Sequence, residues 1–528
     1  MLEKINKLLA RKQYVWIILG FIVVIGIFFR TYNFHDWLPF NMDQGRDAIL
    51  IGGVINGTKS IPLLGPEAGG TDFYLGPMPY YFQILSAKIF GNSPDKMAYP
   101  DLFSSILCIP LFFFFLRKYF NIKISITLTA LLSVSTYAIV VSRFAWNPNS
   151  TPFWTILGFY AVHNTISQKN NHQMLWSIVA GLAIGIGVQL HTTFLLFFPI
   201  TTLIIFVSLF IRKINFFKYF LIILTVSLCL NIPQFISEYQ TSGHNTIEFF
   251  KGLRDKPNNH ITLGDNILRD SACWIESGIS IISGYEISSS CEINIKDTSF
   301  LKLLLFTLGM IFIFGGIFLG ARYLYQEKDW DKKYFLIIIF LYLGIAYLIY
   351  IPLAYTLSTR YFVMLIFFPF IFLGFWMNFL AQKSHKIYIY FLFILILSLM
   401  ISNLYFTYNS FVEFIDYENG RSNGIANVIL KEMEGVSNFI ISNSTGEKEV
   451  YITGNKRYLF KTFNSIKFLV EKSGIKISQI NKSSTAVHGN IFHLHTLRKM
   501  KELSKGKISS LDFASCGRFS IYMTRNKQ

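Results

Sequence analysis

The residues best suited to chemistry stand together in Asn41-Met42-Asp43-Gln44-Gly45-Arg46-Asp47. Asp43 and Asp47 are four positions apart, so on the opening turn of a helix they share a face, with Arg46 close enough to hold one ionised. A carboxylate held in that way suits a base that accepts a proton near neutral pH. The same residues have a plainer reading. Asp is a favoured N-cap, Ala48 to Ile55 has a helical pattern, and Asp43 capping a short surface helix accounts for the stretch taken alone.

Further polar groups collect at the ends of apolar runs. They are Arg143-Phe144-Ala145-Trp146-Asn147-Pro148-Asn149, Gln189-Leu190-His191-Thr192-Thr193, Asn231-Ile232-Pro233-Gln234-Phe235 and Ser358-Thr359-Arg360-Tyr361-Phe362. Any one of these is accounted for by a side chain reaching for the membrane interface. Together, on the side of Asp43 and Asp47, they describe a cavity with cations for a phosphate, aromatic faces for a sugar or isoprenoid, and carboxylates for proton transfer.

The elements that must position these residues are membrane spans. The chain has 528 residues, 52% hydrophobic and only 15% charged, with mean hydropathy +0.43. That composition belongs to an all-α polytopic membrane protein. Apolar runs near 14–30, 101–117, 124–142, 150–167, 174–191, 193–211, 217–236, 299–320, 334–352, 359–380 and 386–407 make about eleven helices of crossing length. The net charge of +18 resides largely in short connectors, where Lys and Arg set topology and meet anionic lipid, so nucleic acid is discounted as a partner. Their alternation puts the N-terminus in the cytoplasm and the segments 30–100, 237–298 and 411–528 outside. No cleavage site follows the first run, which is read as a retained span of a cytoplasmic-membrane protein.

Segment 30–100 is too apolar for free coil and predicts interfacial helices at about Gln44–Ile55 and Pro79–Phe90. Residues 1–410 form the membrane domain. The tail 411–528 has no span and alternates at 449–453, 489–495 and 518–524, predicting a small α/β or α+β extracytoplasmic domain with helices at 465–472 and 497–505. His493 and His495 share a strand face there with no third metal ligand in view. Cys273 and Cys291 are the disulfide candidates, lying in one outer loop.

No Walker loop, dinucleotide fingerprint or zinc spacing occurs, which removes nucleotide-driven pumping and nicotinamide chemistry. A secondary transporter wants charges near mid-bilayer, whereas these gather at one surface. A flippase for polyprenyl-linked sugars, needing the cavity but no base, stays open beside an enzyme.

Asp43-Gln44, Gly76-Pro77-Met78-Pro79-Tyr80-Tyr81, Arg143 to Pro148, Gly187-Val188-Gln189-Leu190-His191 and Arg360-Tyr361-Phe362, in that order after a first span, resemble the GT-C membrane glycosyltransferases. The pattern is most similar to the branch of protein O-mannosyltransferases and aminoarabinose (ArnT-like) transferases. The resemblance implies a polyprenyl-phosphate sugar donor, inversion at the anomeric centre and Asp43 as general base. Relatives often carry Asp-Glu where this chain has Asp43-Gln44, which leaves Asp47 or Asp72 for any second carboxylate role. They also often carry a basic residue or His before the Pro of the loop motif, where Leu75-Gly76 stand here. Arg46, Arg143, His191, Arg360 and Tyr361 are then the phosphate and donor candidates, and Trp146, Asn147, Gln189, Tyr80 and Tyr81 the acceptor or sugar contacts.

The chemistry supports such a site independently. A sugar phosphate carries its own good leaving group, so the protein needs cations for the departing phosphate and one carboxylate for the acceptor proton. The scheme requires no cofactor and leaves room for a divalent cation between acidic loop and phosphate. The acceptor, whether protein, lipid or polysaccharide, is open, as is an oligosaccharide ligase or polymerase using the same class of donor.

Overall fold

The structure is a computed structural model that describes residues 12–69, 71–254, 262–288, 291, 299–383, 386–422, 424, 427–480, 489–504 and 513–526. Among these residues seven helices are long and apolar enough to cross a membrane: Gln13–Thr31, Tyr99–Leu116, Gln173–Leu190, Thr192–Ile211, Phe300–Gln326, Trp330–Thr356 and Lys386–Glu418. Two more candidates are bent pairs, Phe217–Leu230 with Ile232–Gln240 at 56° and Thr359–Leu365 with Phe368–Ala381 at 61°. Pro233 and Pro369 stand at the second position of the later member of each pair. Proline has no N–H to continue the preceding ladder, so each run breaks there.

The other two expected runs form shorter helices. The run 124–142 divides into Ile122–Ser133 and Thr136–Val141. The run 150–167 becomes Thr151–Ile166, buried along most of its length against protein. A helix wrapped by other helices need not match the lipid thickness.

The segment 237–298, read as a loop, holds helices of its own. His244–Arg254 and the 21-residue Leu263–Ser283 follow the bent pair. The longer one starts at a Thr262–Asp265 capping box and stops at Gly284, whose φ of 76° is left-handed. It packs between spans, buries Asp270 and Glu276, and is joined by Cys273 to Cys291 in a disulfide.

The segment after the first span contains the helices Met42–Ile55 and Met78–Phe90, with a small hairpin between them. Gly65 N–H donates to the Leu75 carbonyl at 2.8 Å, Leu75 N–H to the Pro66 carbonyl at 3.0 Å, and Ala68 N–H to the Phe73 carbonyl at 2.8 Å.

The C-terminal part is a mixed α/β unit. Its strands are β1 (Glu449–Gly454), β2 (Lys476–Gln479), β3 (Gly489–Thr496), β4 (Phe513–Cys516) and β5 (Phe519–Asn526), in the order β2-β1-β3-β5-β4. β1 is parallel to β2 and β3, and the β3–β5 and β5–β4 pairs are antiparallel. Alternation along β1 and β3 turns Val450, Ile452, Phe492 and Leu494 onto a buried face. Helices Leu430–Ser442 and Lys456–Glu471 supply the rest of that core. The same cluster continues into Phe34, Leu38, Phe40, Ala48, Ile51, Tyr80 and Ile84, so this unit shares one hydrophobic core with the segment carrying Asp43. On the opposite sheet face His493 and His495 flank Tyr522 in ring stacking, with His493 Nε2 2.8 Å from Thr524 Oγ1.

Candidate active site

The site is built on the first turn of Met42–Ile55. Asn41, in extended conformation, is the N-cap, and its N–H donates to Gln44 Oε1 at 3.2 Å. Asp43 is therefore inside the helix and is not its cap. Gln44 occupies the third helical position, where a side-chain acceptor can reach back to the capping residue, and its Nε2 also donates to the Ala145 carbonyl at 3.2 Å. At the second helical position the Asp43 carboxylate is favoured by the free N–H groups of the helix start.

Arg46 ties the two aspartates together. Its Nη1 donates to Asp43 Oδ1 at 3.1 Å and its Nε to Asp47 Oδ1 at 2.9 Å, while the Tyr80 hydroxyl donates to the same Asp47 oxygen at 2.9 Å. The carboxylates differ in exposure, the Asp43 side chain being 51% accessible and that of Asp47 13%. Burial pushes the Asp47 carboxyl above its ordinary range, with Arg46 and Tyr80 opposing the shift. Asp47 thus anchors Arg46 from behind, and Asp43 is the carboxylate presented to solvent.

Asp43 and Arg46 open into a cavity of about 950 Å³ shared with Asp72, Trp146, Asn147, His191, Arg360 and Tyr361. The Arg360 guanidinium is exposed and lies 5.2 Å from the Tyr361 ring centre. Among the described residues it has no hydrogen bond or ion pair. His191 Nδ1 lies 2.7 Å from Thr193 Oγ1 and 3.2 Å from the Thr193 backbone N. Burial, reinforced by the Arg360 charge, pulls the His191 pKa down to about 4. At neutral pH the cavity therefore offers the cations Arg46, Lys251 and Arg360 and a neutral imidazole in a space that Asp43, Glu67, Asp72 and Glu248 also line.

A second cavity of about 620 Å³ adjoins the first, with Arg46 and Glu67 lining both. Its walls are mainly apolar, from Ile49, Leu50, Ile61, Leu63 and Leu64, with Lys59 and Asn464 among its polar groups.

Several sequence candidates lie elsewhere. Arg143 is buried, and its guanidinium donates to the carbonyls of Phe29, Arg30, Tyr32 and Asn33, closing the end of the first span. Gln189 is buried as well. Its Nε2 donates to the carbonyls of Gly185 and Leu230, and its Oε1 accepts from Met78 N–H at 3.3 Å. A Cβ on Gly76 would meet Gln189 Oε1 at 2.4 Å, which is why the Gly-Pro motif needs glycine there. Tyr81 donates to the Pro62 carbonyl at 2.9 Å and braces the loop. Tyr80 holds Asp47 and lines the second cavity, whereas Asp47 lines neither.

Sequence reading missed the wall formed by His244–Arg254. Asn245 Oδ1 accepts from Tyr74 N–H at 2.7 Å and its Nδ2 donates to the Tyr74 carbonyl at 2.9 Å, docking the hairpin on this helix. Glu248, Phe249 and Lys251 thereby reach the larger cavity. The apolar face of Ile247 and Phe250 against Glu248 and Lys251 was the available signal. No three His, Cys, Asp or Glu side chains among the described residues converge as a metal site.

Residues 75–236 match the model of the dolichyl-phosphate-mannose-protein mannosyltransferase family. The match spans about three tenths of the chain. It takes in Trp146, Asn147, Gln189 and His191 and leaves Asp43 and Arg360 outside. Among solved structures the chain is similar to ArnT from Cupriavidus metallidurans bound to undecaprenyl phosphate, at 10% identity over 97% of this chain and 98% of that one, with a TM-score of 0.47. The apo form of the same protein gives 10% identity, 98% and 99% coverage and a TM-score of 0.47. The S. cerevisiae protein O-mannosyltransferase Pmt1-Pmt2 complex bound to the sugar donor gives 13% identity over 44% of this chain and 33% of that chain, with a TM-score of 0.33. No curated protein matches the sequence.

Proposed function

We propose that this chain is an inverting glycosyltransferase that moves one sugar from a polyprenyl-phosphate donor to an acceptor hydroxyl at the extracytoplasmic face of the cytoplasmic membrane. The observation that carries the reading is the shared cavity, in which half-exposed Asp43, held by Arg46, faces the same space as neutral His191 and Arg360, which has no ion pair among the described residues. The acceptor oxygen attacks the anomeric carbon as the carbon–oxygen bond to phosphate breaks. Its proton passes to Asp43, and the electron pair leaves with polyprenyl phosphate. Arg360 and the neutral His191 ring stabilise the charge that develops there. Trp146 and Tyr361 offer ring faces to the sugar or the first isoprene units. The second cavity, joined to the first at Arg46, is the approach for the acceptor.

The deciding experiment is release of free polyprenyl phosphate from a panel of polyprenyl-phosphate monosaccharides, with purified protein and membrane extract as acceptor. Wild type should release it from one donor class only. Asp43→Asn should bind that donor and release about 10²- to 10⁴-fold less. Undiminished turnover in Asp43→Asn would remove the base assignment, and consumption of no donor by folded wild-type protein would remove the transferase reading.

A further inference from the structure

We infer that the C-terminal sheet unit is a working part of the reaction centre, its Ser465 and Asn464 positioning Asp43. This inference rests on the proposed role of Asp43 as base. The Ser465 hydroxyl is buried, 2.7 Å from the Phe40 carbonyl and 3.0 Å from that of Asn41, and Asn464 Nδ2 donates to the Met42 carbonyl at 3.3 Å. These are the three carbonyls immediately before Asp43. From the other side Val428 N–H donates to Asn41 Oδ1 at 2.9 Å and Phe40 N–H to the Val428 carbonyl at 2.7 Å. The turn that sets the direction of the Asp43 side chain is thus clamped between two segments nearly four hundred or more residues later in the chain.

Gly45 shows how close the clamp is. A Cβ there would lie 2.5 Å from Ser465 N and 2.7 Å from the Asn464 carbonyl carbon, both backbone atoms that cannot swing aside. The absence of a side chain at Gly45 is what lets Lys456–Glu471 reach the helix bearing the base. A simple packing contact needs apolar surface, which Phe40 and Phe468 already provide at 6.2 Å between ring centres. The hydrogen bonds are made instead to the carbonyls of the first turn, where a small tilt moves the Asp43 carboxylate relative to Arg46 and the cavity. Arg360, Tyr361 and His191 stand on other elements, so donor binding is independent of the clamp.

The test compares Ser465→Ala, which removes the hydroxyl and leaves the shape, with Gly45→Ala, which pushes the two helices apart. Each is measured for kcat, donor KM, donor binding and thermal stability in the full-length protein, with Asp43→Asn alongside. We expect kcat to fall about tenfold in Ser465→Ala and about a hundredfold in Gly45→Ala, with donor affinity within about twofold of wild type, since misplacement by about 1 Å costs on that order. Wild-type kcat in both variants overturns the inference, as does a parallel fall of kcat and donor binding that tracks melting temperature. If Asp43→Asn also keeps wild-type turnover, the base assignment itself has failed. Loss in Asp43→Asn with full activity in the other two refutes the positioning role alone.

Discussion

Replacing Arg360 separates a phosphate-binding cation from one that merely ends a span. Its guanidinium is exposed in the larger cavity, stacks on Tyr361 and has no ion pair among the described residues, so its removal breaks nothing visible in the resting protein. A charge-assisted hydrogen bond to an ionised group contributes about 1.5–3 kcal/mol. At about 1.4 kcal/mol per decade, Arg360→Ala should lower kcat/KM roughly 10- to 150-fold. Arg360→Lys retains a point charge but loses the fork that matches phosphate, and should fall between the two. The assay is initial-rate release of polyprenyl phosphate against donor concentration, with melting temperature as control. A second readout comes from His191, whose pKa is held near 4 first by burial and then by the Arg360 charge. In Arg360→Ala an acid limb due to His191 should move up in pH yet stay below the ordinary histidine value, because burial persists. Arg360→Ala with kcat/KM within about twofold of wild type would refute the assignment of Arg360 to the leaving phosphate.

Three further outcomes are expected. Protonating His191 favours the unfolded chain, since its folded pKa of about 4 lies below the ordinary histidine value of 6.5; stability should fall as pH drops through that window, and His191→Gln should flatten the limb in detergent melts. The pair Glu432–Arg518, 2.6 Å apart and 0% and 2% accessible, also joins the Gly424 and Asn427 carbonyls and stacks on Tyr417. Arg518→Ala leaves Glu432 buried alone and should cost about 3–5 kcal/mol of stability by chemical denaturation, whereas unchanged stability would show that water reaches the site. Cys273→Ser opens a link spanning 18 residues, and loss of about 3 kcal/mol is expected, read as a lower melting point that reductant reproduces in wild type.

The membrane class was legible because it is a property of composition, and most helix positions because each apolar run must satisfy its own backbone in lipid. The Met42–Ile55 helix and its carboxylate pair were legible for the same local reason, since spacing within two turns fixes which side chains share a face. Leu263–Ser283 was missed where its Asp265, Arg269, Asp270 and Glu276 interrupt the hydropathy, although its capping box was readable. Of the eleven runs, seven are helices long and apolar enough to cross a membrane among the described residues and two are bent pairs, while the other two are shorter helices, one interrupted at Ser135 and one wrapped by neighbouring helices.

Arg143 and Arg360 look alike in sequence, each a cation at a span end beside an aromatic residue. Only the fold distinguishes them. The last carbonyls of the first span close around Arg143, while no partner among the described residues reaches Arg360. Gln189 and Tyr81 were likewise drawn into bracing the loop by partners far away in sequence. The docking of Ser465 on Phe40 bridges 425 residues, and nothing within either segment signals it. Residue type and spacing determined what chemistry this chain carries and in which solvent it folds; the tertiary structure decided which groups remain free to perform it, because burial depends on the neighbour that arrives.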